Sequence, residues 1–170
     1  MNHQNIPVAE AADSAVAVHA DNVCSQRTDA VSGFHSLVAL RSFQSGELVT
    51  SFRAANVRTS PTYLTVQVGE DQHIELWPAQ LQFTNHSCRP NCHIDTRAFE
   101  FVAVRDIAVG DELTFFYPST EWHMQQPFTC ACGAPECVGT VSGADAMPAD
   151  VMNRYRLSDF IRQKLDGRAS

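Results

Sequence analysis

The densest cluster of metal-binding side chains in the chain is Cys130-Ala131-Cys132-Gly133-Ala134-Pro135-Glu136-Cys137. Three thiolates at C-x-C-x4-C spacing suit a single tetrahedral zinc ion, with Zn–S bonds of about 2.3 Å. Gly133 and Pro135 permit the tight turn such a loop requires. A structural zinc site is closed by four ligands, so a fourth must come from elsewhere in the chain. Cys24, Cys88, Cys92 and several histidines are the candidates. Reduced cysteines without metal are the plainer alternative, and a disulfide within Cys-x-Cys is geometrically poor. A second segment, Asn85-His86-Ser87-Cys88-Arg89-Pro90-Asn91-Cys92, is polar and turn-forming between Phe83 and strand-like His93-Ile94-Asp95. A third, Gly110-Asp111-Glu112-Leu113-Thr114-Phe115-Phe116-Tyr117, is a turn running into an aromatic strand. Taken singly, the second reads as an irregular loop and the third as core.

The elements that must position these residues are short. Residues 36–40, 48–52 and 63–68 have strand character, and Gly69-Glu70-Asp71 turns the last of them into residues 73–76. Residues 99–104 form the clearest strand, lying between turns at Gln44-Ser45-Gly46-Glu47 and Val109-Gly110-Asp111-Glu112. Helical spacing begins only after Asp150, in Val151, Tyr155, Leu157, Phe160, Ile161 and Leu165. Pro148 and Asp150 supply a start signal, and Ser158 is placed to cap a second short helix. Residues 1 to about 28, rich in Ala, Asp, Asn and Gln, have no sustained periodicity and are expected to be a variable, loosely packed lead-in. The expectation is a mainly β protein of several small sheets with a C-terminal helix, in which loops carry the chemistry.

A chain of 170 residues supports one domain with a real core. Hydrophobic residues at 44% and charged residues at 18% exclude a disordered chain. No apolar run approaches the ~18 residues of a membrane span, so no membrane partner is expected. A net charge of −7 argues against direct nucleic-acid binding and for a basic partner. The N-terminus lacks a secretory pattern, so an intracellular setting, cytoplasm or nucleus, is expected. Thiols there stay reduced, which favours metal ligation over disulfides.

Together the three segments closely resemble one family. NHSCRPNC, GDELTFFY, and CACGAPEC followed by Val138-Gly139 look like a SET domain with its post-SET zinc loop. Upstream, Gly33-Phe34-His35-Ser36-Leu37-Val38-Ala39 and Gly46-Glu47-Leu48-Val49 resemble the domain's opening β-hairpin. The resemblance covers roughly residues 30–142. It implies a SET domain over residues 29–119, a linker and post-SET loop over 120–142, and a C-terminal helical segment over 143–170. The fold it implies is a set of small sheets with a threaded C-terminal segment. The activity it implies is methyl transfer from S-adenosylmethionine to a lysine ε-amine in a histone or other basic protein.

Residue by residue, the resemblance places Tyr117 as the active-site tyrosine, and Asn85 and His86 as cofactor contacts. Cys88 becomes the fourth zinc ligand beside Cys130, Cys132 and Cys137. Phe115 takes the position that governs how many methyl groups are added, and Tyr63 that of a cofactor-lining tyrosine. Phe34, His35 and Ser36 stand where the family carries G-x-G against the cofactor. A side chain there would crowd the cofactor's methionine end unless the loop is redrawn. Gln82 replaces an arginine often found before NHSC, and a cysteine-rich pre-SET region is absent.

The chemistry sets its own demands. A lysine ammonium has a pKa near 10.4, and only the neutral amine is a nucleophile. A narrow apolar channel walled by Phe115 and Tyr117 would desolvate and align it. Tyr117 would orient rather than act as a strong base, and the zinc would be structural. The alternative is a catalytically weak SET-like zinc module that binds a protein partner. Trp77 is expected to pack, and Trp122 either to pack or to line the site. Cys24 and Cys92 are expected as plain thiols. His19, His35, His73, His93 and His123 have no ligand-like spacing.

Overall fold

The computed structural model describes residues 22–168. Strands β1 (Cys24–Thr28) and β2 (His35–Ala39) form an antiparallel hairpin with Cys24 opposite Ala39 and Thr28 opposite His35. The Asp29 carboxylate organises the connection by accepting from the N–H groups of Val31 (3.1 Å) and Ser32 (2.7 Å). Residues 24–28 therefore leave the expected lead-in and join the fold. Only the first residue of β1 is fully buried, so the strand has no alternating pattern to betray it. The rest of the lead-in, residues 1–21 with His19, lies outside the described residues.

Strand β3 (Leu48–Ser51) leads into β4 (Arg53–Arg58), which with β5 (Thr65–Gly69) and β6 (Gln72–Trp77) forms a sheet of order β4-β6-β5. Next come β7 (Asn85–His86), β8 (Cys92–Asp95) and β9 (Glu100–Ala103). A second three-stranded sheet has the order β3-β9-β8. In β8 and β9 alternation turns Cys92, Ile94, Phe101 and Ala103 inward. They join Leu37, Phe52, Ile74, Leu76 and Leu113 in the main core.

Strand β10 (Thr114–Phe115) pairs in parallel with β7, setting Thr114 opposite Asn85 and Phe115 opposite His86. Two paired residues are a weak join, and Asn91 reinforces it. Its side chain donates to Glu112 O (2.8 Å) and accepts from Thr114 N–H (2.8 Å). The second and third sequence segments are thus tied side by side.

Strands β11 (Phe128–Thr129) and β12 (Thr140–Val141) flank the cysteine loop as an antiparallel pair. The chain then crosses residues 121–124 closely. Ala144 N–H donates to Glu121 O (2.8 Å) and Asp145 N–H to Trp122 O (3.0 Å). Gly143 sits at the crossing with φ +120°, where a Cβ would lie 2.4 Å from Trp122 O. Helices α1 (Ala149–Met152) and α2 (Asp159–Arg168) complete the chain as two pieces. Ser158 Oγ accepts from Ile161 N–H (3.3 Å), the expected cap. Phe116, Ala144, Met152 and Ile161 form a second core, with Tyr155 stacked on Phe116 at 3.7 Å. Trp122 packs here, beneath Arg168 (4.2 Å) and Lys164 (5.0 Å), and does not line either of the two hollows described below. Trp77 packs under the Arg53 guanidinium (3.9 Å). No described helix is long and apolar enough to cross a membrane.

Candidate active site and metal centre

The cysteine loop is shaped by its own backbone. Cys130 N–H donates to Gly139 O (2.6 Å) and Cys137 N–H to Ala134 O (3.0 Å). Cys88 enters from the turn after β7, where its sulfur accepts from Val138 N–H (3.4 Å). The sulfurs of Cys88, Cys130, Cys132 and Cys137 then all lie within 4.8 Å of one another. A tetrahedron with bonds of about 2.3 Å has edges of about 3.8 Å, and Cys88 Sγ is 3.9 Å from Cys130 Sγ. The donor set fits zinc. Burial pushes the Cys88 and Cys130 thiols up, so a bound cation would be needed to hold them as thiolates. Cys24, Cys92 and the described histidines stay outside this cluster. The remaining stabilisation of Cys88 comes from the C-terminal segment, where the Tyr155 hydroxyl donates to Cys88 O (2.7 Å).

His86 lies between this cluster and Tyr117. Its Nδ1 accepts from Tyr117 N–H (3.2 Å), which places the ring hydrogen on Nε2, 3.3 Å from Cys88 Sγ. Burial holds the ring neutral, with a pKa of about 4. The imidazole thus links a sulfur of the cysteine cluster to the backbone of Tyr117.

Tyr117 lines a hollow of about 350 Å³ whose walls are mostly apolar, including Leu76, Leu81, Ile94, Phe115 and Phe128. The Phe115 ring is 4.8 Å from the Tyr117 ring. The Tyr117 hydroxyl donates to Thr84 O (3.0 Å), leaving its oxygen lone pairs to accept from a ligand. Burial, then the nearby Glu121 and Glu112 charges, push the phenol well above 10, so it is uncharged at neutral pH. Glu121 is buried in the wall of this hollow.

A second hollow, of about 440 Å³, is lined by Arg27, Phe34, His35, Ser36, Asn85 and Glu112, among others. Asn85 Nδ2 donates to His35 O (2.9 Å) and Glu112 Oε1 (2.8 Å), which leaves Asn85 Oδ1 as an acceptor. His35 Nδ1 lies 2.9 Å from both Gln26 Nε2 and Thr28 Oγ1, while Phe34 is 76% exposed.

Thr84 lines the first hollow and Asn85 the second. The two hollows therefore meet the chain at adjacent residues. Of the residues expected around the cofactor, Asn85, Phe34, His35 and Ser36 are brought together. His86 and Tyr63 are not. The His86 side chain faces Cys88 and Tyr117, and Tyr63 lies at the mouth of the Tyr117 hollow, 77% exposed. Arg27, Glu112, Glu121 and Tyr155 were not among the expected site residues. Glu112 lies inside the third segment and could have been found there; the other three carry no local signal.

The family model for the SET domain matches residues 35–118. "Methyltransferase flvH" of Aspergillus flavus is 44% identical over 135 residues, spanning 78% of this chain and 74% of that protein. The chain belongs to the SET-domain family. A histone-lysine N-methyltransferase of Schizosaccharomyces pombe, H3 lysine-36 specific, is 38% identical over 110 residues, or 61% of this chain. One of the same name from Cryptococcus neoformans is 35% identical over 78 residues. This SET domain spans only 13% and 9% of those two proteins. Its mainly β architecture of small sheets, C-terminal helix and cysteine cluster are those of the family, and the molecule is a methyltransferase.

Proposed function

We propose that this SET domain transfers a methyl group from S-adenosylmethionine to the ε-amine of a lysine in a basic protein. The observation that carries this reading is the pair of hollows lined by the adjacent residues Thr84 and Asn85. Such an arrangement lets a long side chain enter one hollow while a methyl donor occupies the other. The second hollow offers groups suited to the amino-acid end of S-adenosylmethionine: the Arg27 guanidinium for a carboxylate, and Asn85 Oδ1 and Glu112 as acceptors for an ammonium. When bound, that molecule supplies an electrophilic methyl on a sulfonium.

The chain's own residues do the rest. Phe115 and the other apolar walls exclude water and lower the ammonium pKa. The Tyr117 oxygen, anchored by its bond to Thr84 O, orients the nitrogen. His86 holds the Tyr117 backbone, and the zinc-binding cluster holds His86. The H3 lysine-36 specificity in the names of two relatives makes a histone H3 tail the first substrate to try.

The test is incubation with labelled S-adenosylmethionine and basic proteins, histones included, followed by mass-spectrometric mapping of the methylated residue. Label on a lysine, lost in Tyr117→Phe with folding intact, supports the reading. Label confined to another residue type, or unchanged in Tyr117→Phe, overturns it.

A further inference from the structure

The Tyr117 hollow contains one carboxyl and no basic side chain. Its described lining includes no Lys, Arg or His, and its titratable groups are Tyr63, Tyr117 and Glu121. Glu121 is 8% exposed. Its Oε1 accepts from Gln67 N–H (2.9 Å) and the Thr120 hydroxyl (3.3 Å). No described residue donates to Oε2. The residue is also held rigidly, because its own N–H donates to Tyr117 O (3.0 Å) and its carbonyl accepts from Ala144 N–H (2.8 Å). It therefore stands one turn from Tyr117, with a free carboxylate oxygen on the wall of the same cavity.

A buried carboxylate without a counter-ion is costly, and the cost falls when a cation arrives. We infer that Glu121 receives the substrate's cationic nitrogen and takes one of its protons onto Oε2, leaving the neutral amine oriented by Tyr117. In this step one N–H bond breaks, its electron pair stays on nitrogen, and an O–H bond forms on Oε2. The proton later passes to water, restoring the carboxylate. Tyr117 does not fill this role, because its phenol is pushed up and uncharged. Burial raises Glu121 to about 7 and lowers a buried ammonium, which moves donor and acceptor toward each other. This inference deepens the lysine reading and rests on it for the reaction, but its binding component can be tested alone.

The first measurement is calorimetry of the full, metal-loaded chain with n-butylammonium and with neutral 1-butanol, at pH 8. Glu121→Gln keeps the shape and both Oε1 bonds. The expected result is that the unmutated protein prefers the cation by about tenfold or more, and that Glu121→Gln loses this preference while still binding the alcohol. The second is the pH profile of kcat/KM with a lysine substrate, which should rise through about 7 and lose that limb in Glu121→Gln. Equal binding of cation and alcohol by the unmutated protein, or an unaltered preference and pH limb in Glu121→Gln, would overturn the inference while leaving lysine methylation standing. A Glu121-dependent cation preference without any lysine methylation would support the inference and overturn the lysine reading instead.

Discussion

Replacing Glu121 by Gln should make the protein more stable at alkaline pH, even as it costs activity. The carboxyl has an ordinary value of 4.5 and is raised to about 7 in the fold, chiefly by burial. Its contribution to stability is fully present below pH 4.5, is lost as pH rises toward 7, and is flat beyond. At about 1.36 kcal/mol per decade, the loss amounts to roughly 3 kcal/mol. Glutamine cannot ionise, and its carbonyl can still accept from Gln67 N–H and the Thr120 hydroxyl. The stability gap between variant and parent should therefore be small at pH 5 and level off at roughly 3 kcal/mol above pH 7.5. For a domain of this size that is a Tm increase of about 6–12 °C. Thermal unfolding of both proteins in matched, metal-saturated buffers from pH 5 to 8.5 reads the gap directly. Proton-driven loss of metal at the acidic end affects both alike and cancels in the difference. A gap that stays constant across this range would show that Glu121 does not titrate inside the fold.

Three further outcomes are expected. Cys88→Ser should lose zinc, read by elemental analysis of the purified protein, whereas Cys92→Ser should keep about one zinc per chain, because only Cys88 joins the sulfur cluster; equal zinc in both would dissolve the four-cysteine site. Phe115→Tyr should shift product toward monomethyl-lysine by mass spectrometry, since a hydroxyl beside Tyr117 retains a water in the room that a methylated amine needs; a strictly monomethylated product from the unmutated protein would refute this. Tyr155→Phe should keep the stack on Phe116 but leave Cys88 O without its donor, at a cost of about 1–2 kcal/mol in urea unfolding.

How much of this was legible in the sequence depends on how local each feature is. The cysteine spacing, the NHSC turn and the aromatic segment ending at Tyr117 are short and contiguous, and the resemblance they carry places Cys88 with the distant loop. Strand β9 alternates and was readable. Strand β1 was not, because four of its five residues are not fully buried, leaving no period of two to detect. Glu121 sits in Pro118-Ser119-Thr120-Glu121-Trp122, which reads as a polar linker with a solvated charge. Its burial depends on distant partners, Gln67 of β5 against its carboxylate and residues 142–145 closing over its backbone at the Gly143 crossing. Tyr155 looked like one more apolar position of a C-terminal helix, yet its hydroxyl reaches Cys88, 67 residues earlier. The resemblance singles out His86 as a cofactor contact, but no spacing rule says that its ring turns away from Asn85 toward Cys88 and Tyr117.

The sulfur cluster also imposes a schedule on the birth of the protein. Cys88 and Cys130 are 42 residues apart. At ribosomal speeds of about 5–20 residues per second, Cys88 waits roughly 2–8 s before its first sulfur partner is even synthesised. During that interval the β8–β9 hairpin can form from neighbouring residues, but neither the His86–Cys88 link nor the Tyr155 clamp has what it needs to settle. The lone thiol is open to oxidation or to the wrong metal through that window, and whatever ligates it early competes with the site that orders Tyr117. If zinc fills this cluster, its supply during synthesis, and not only the finished fold's affinity for it, bears on the fraction of chains that mature with the site assembled.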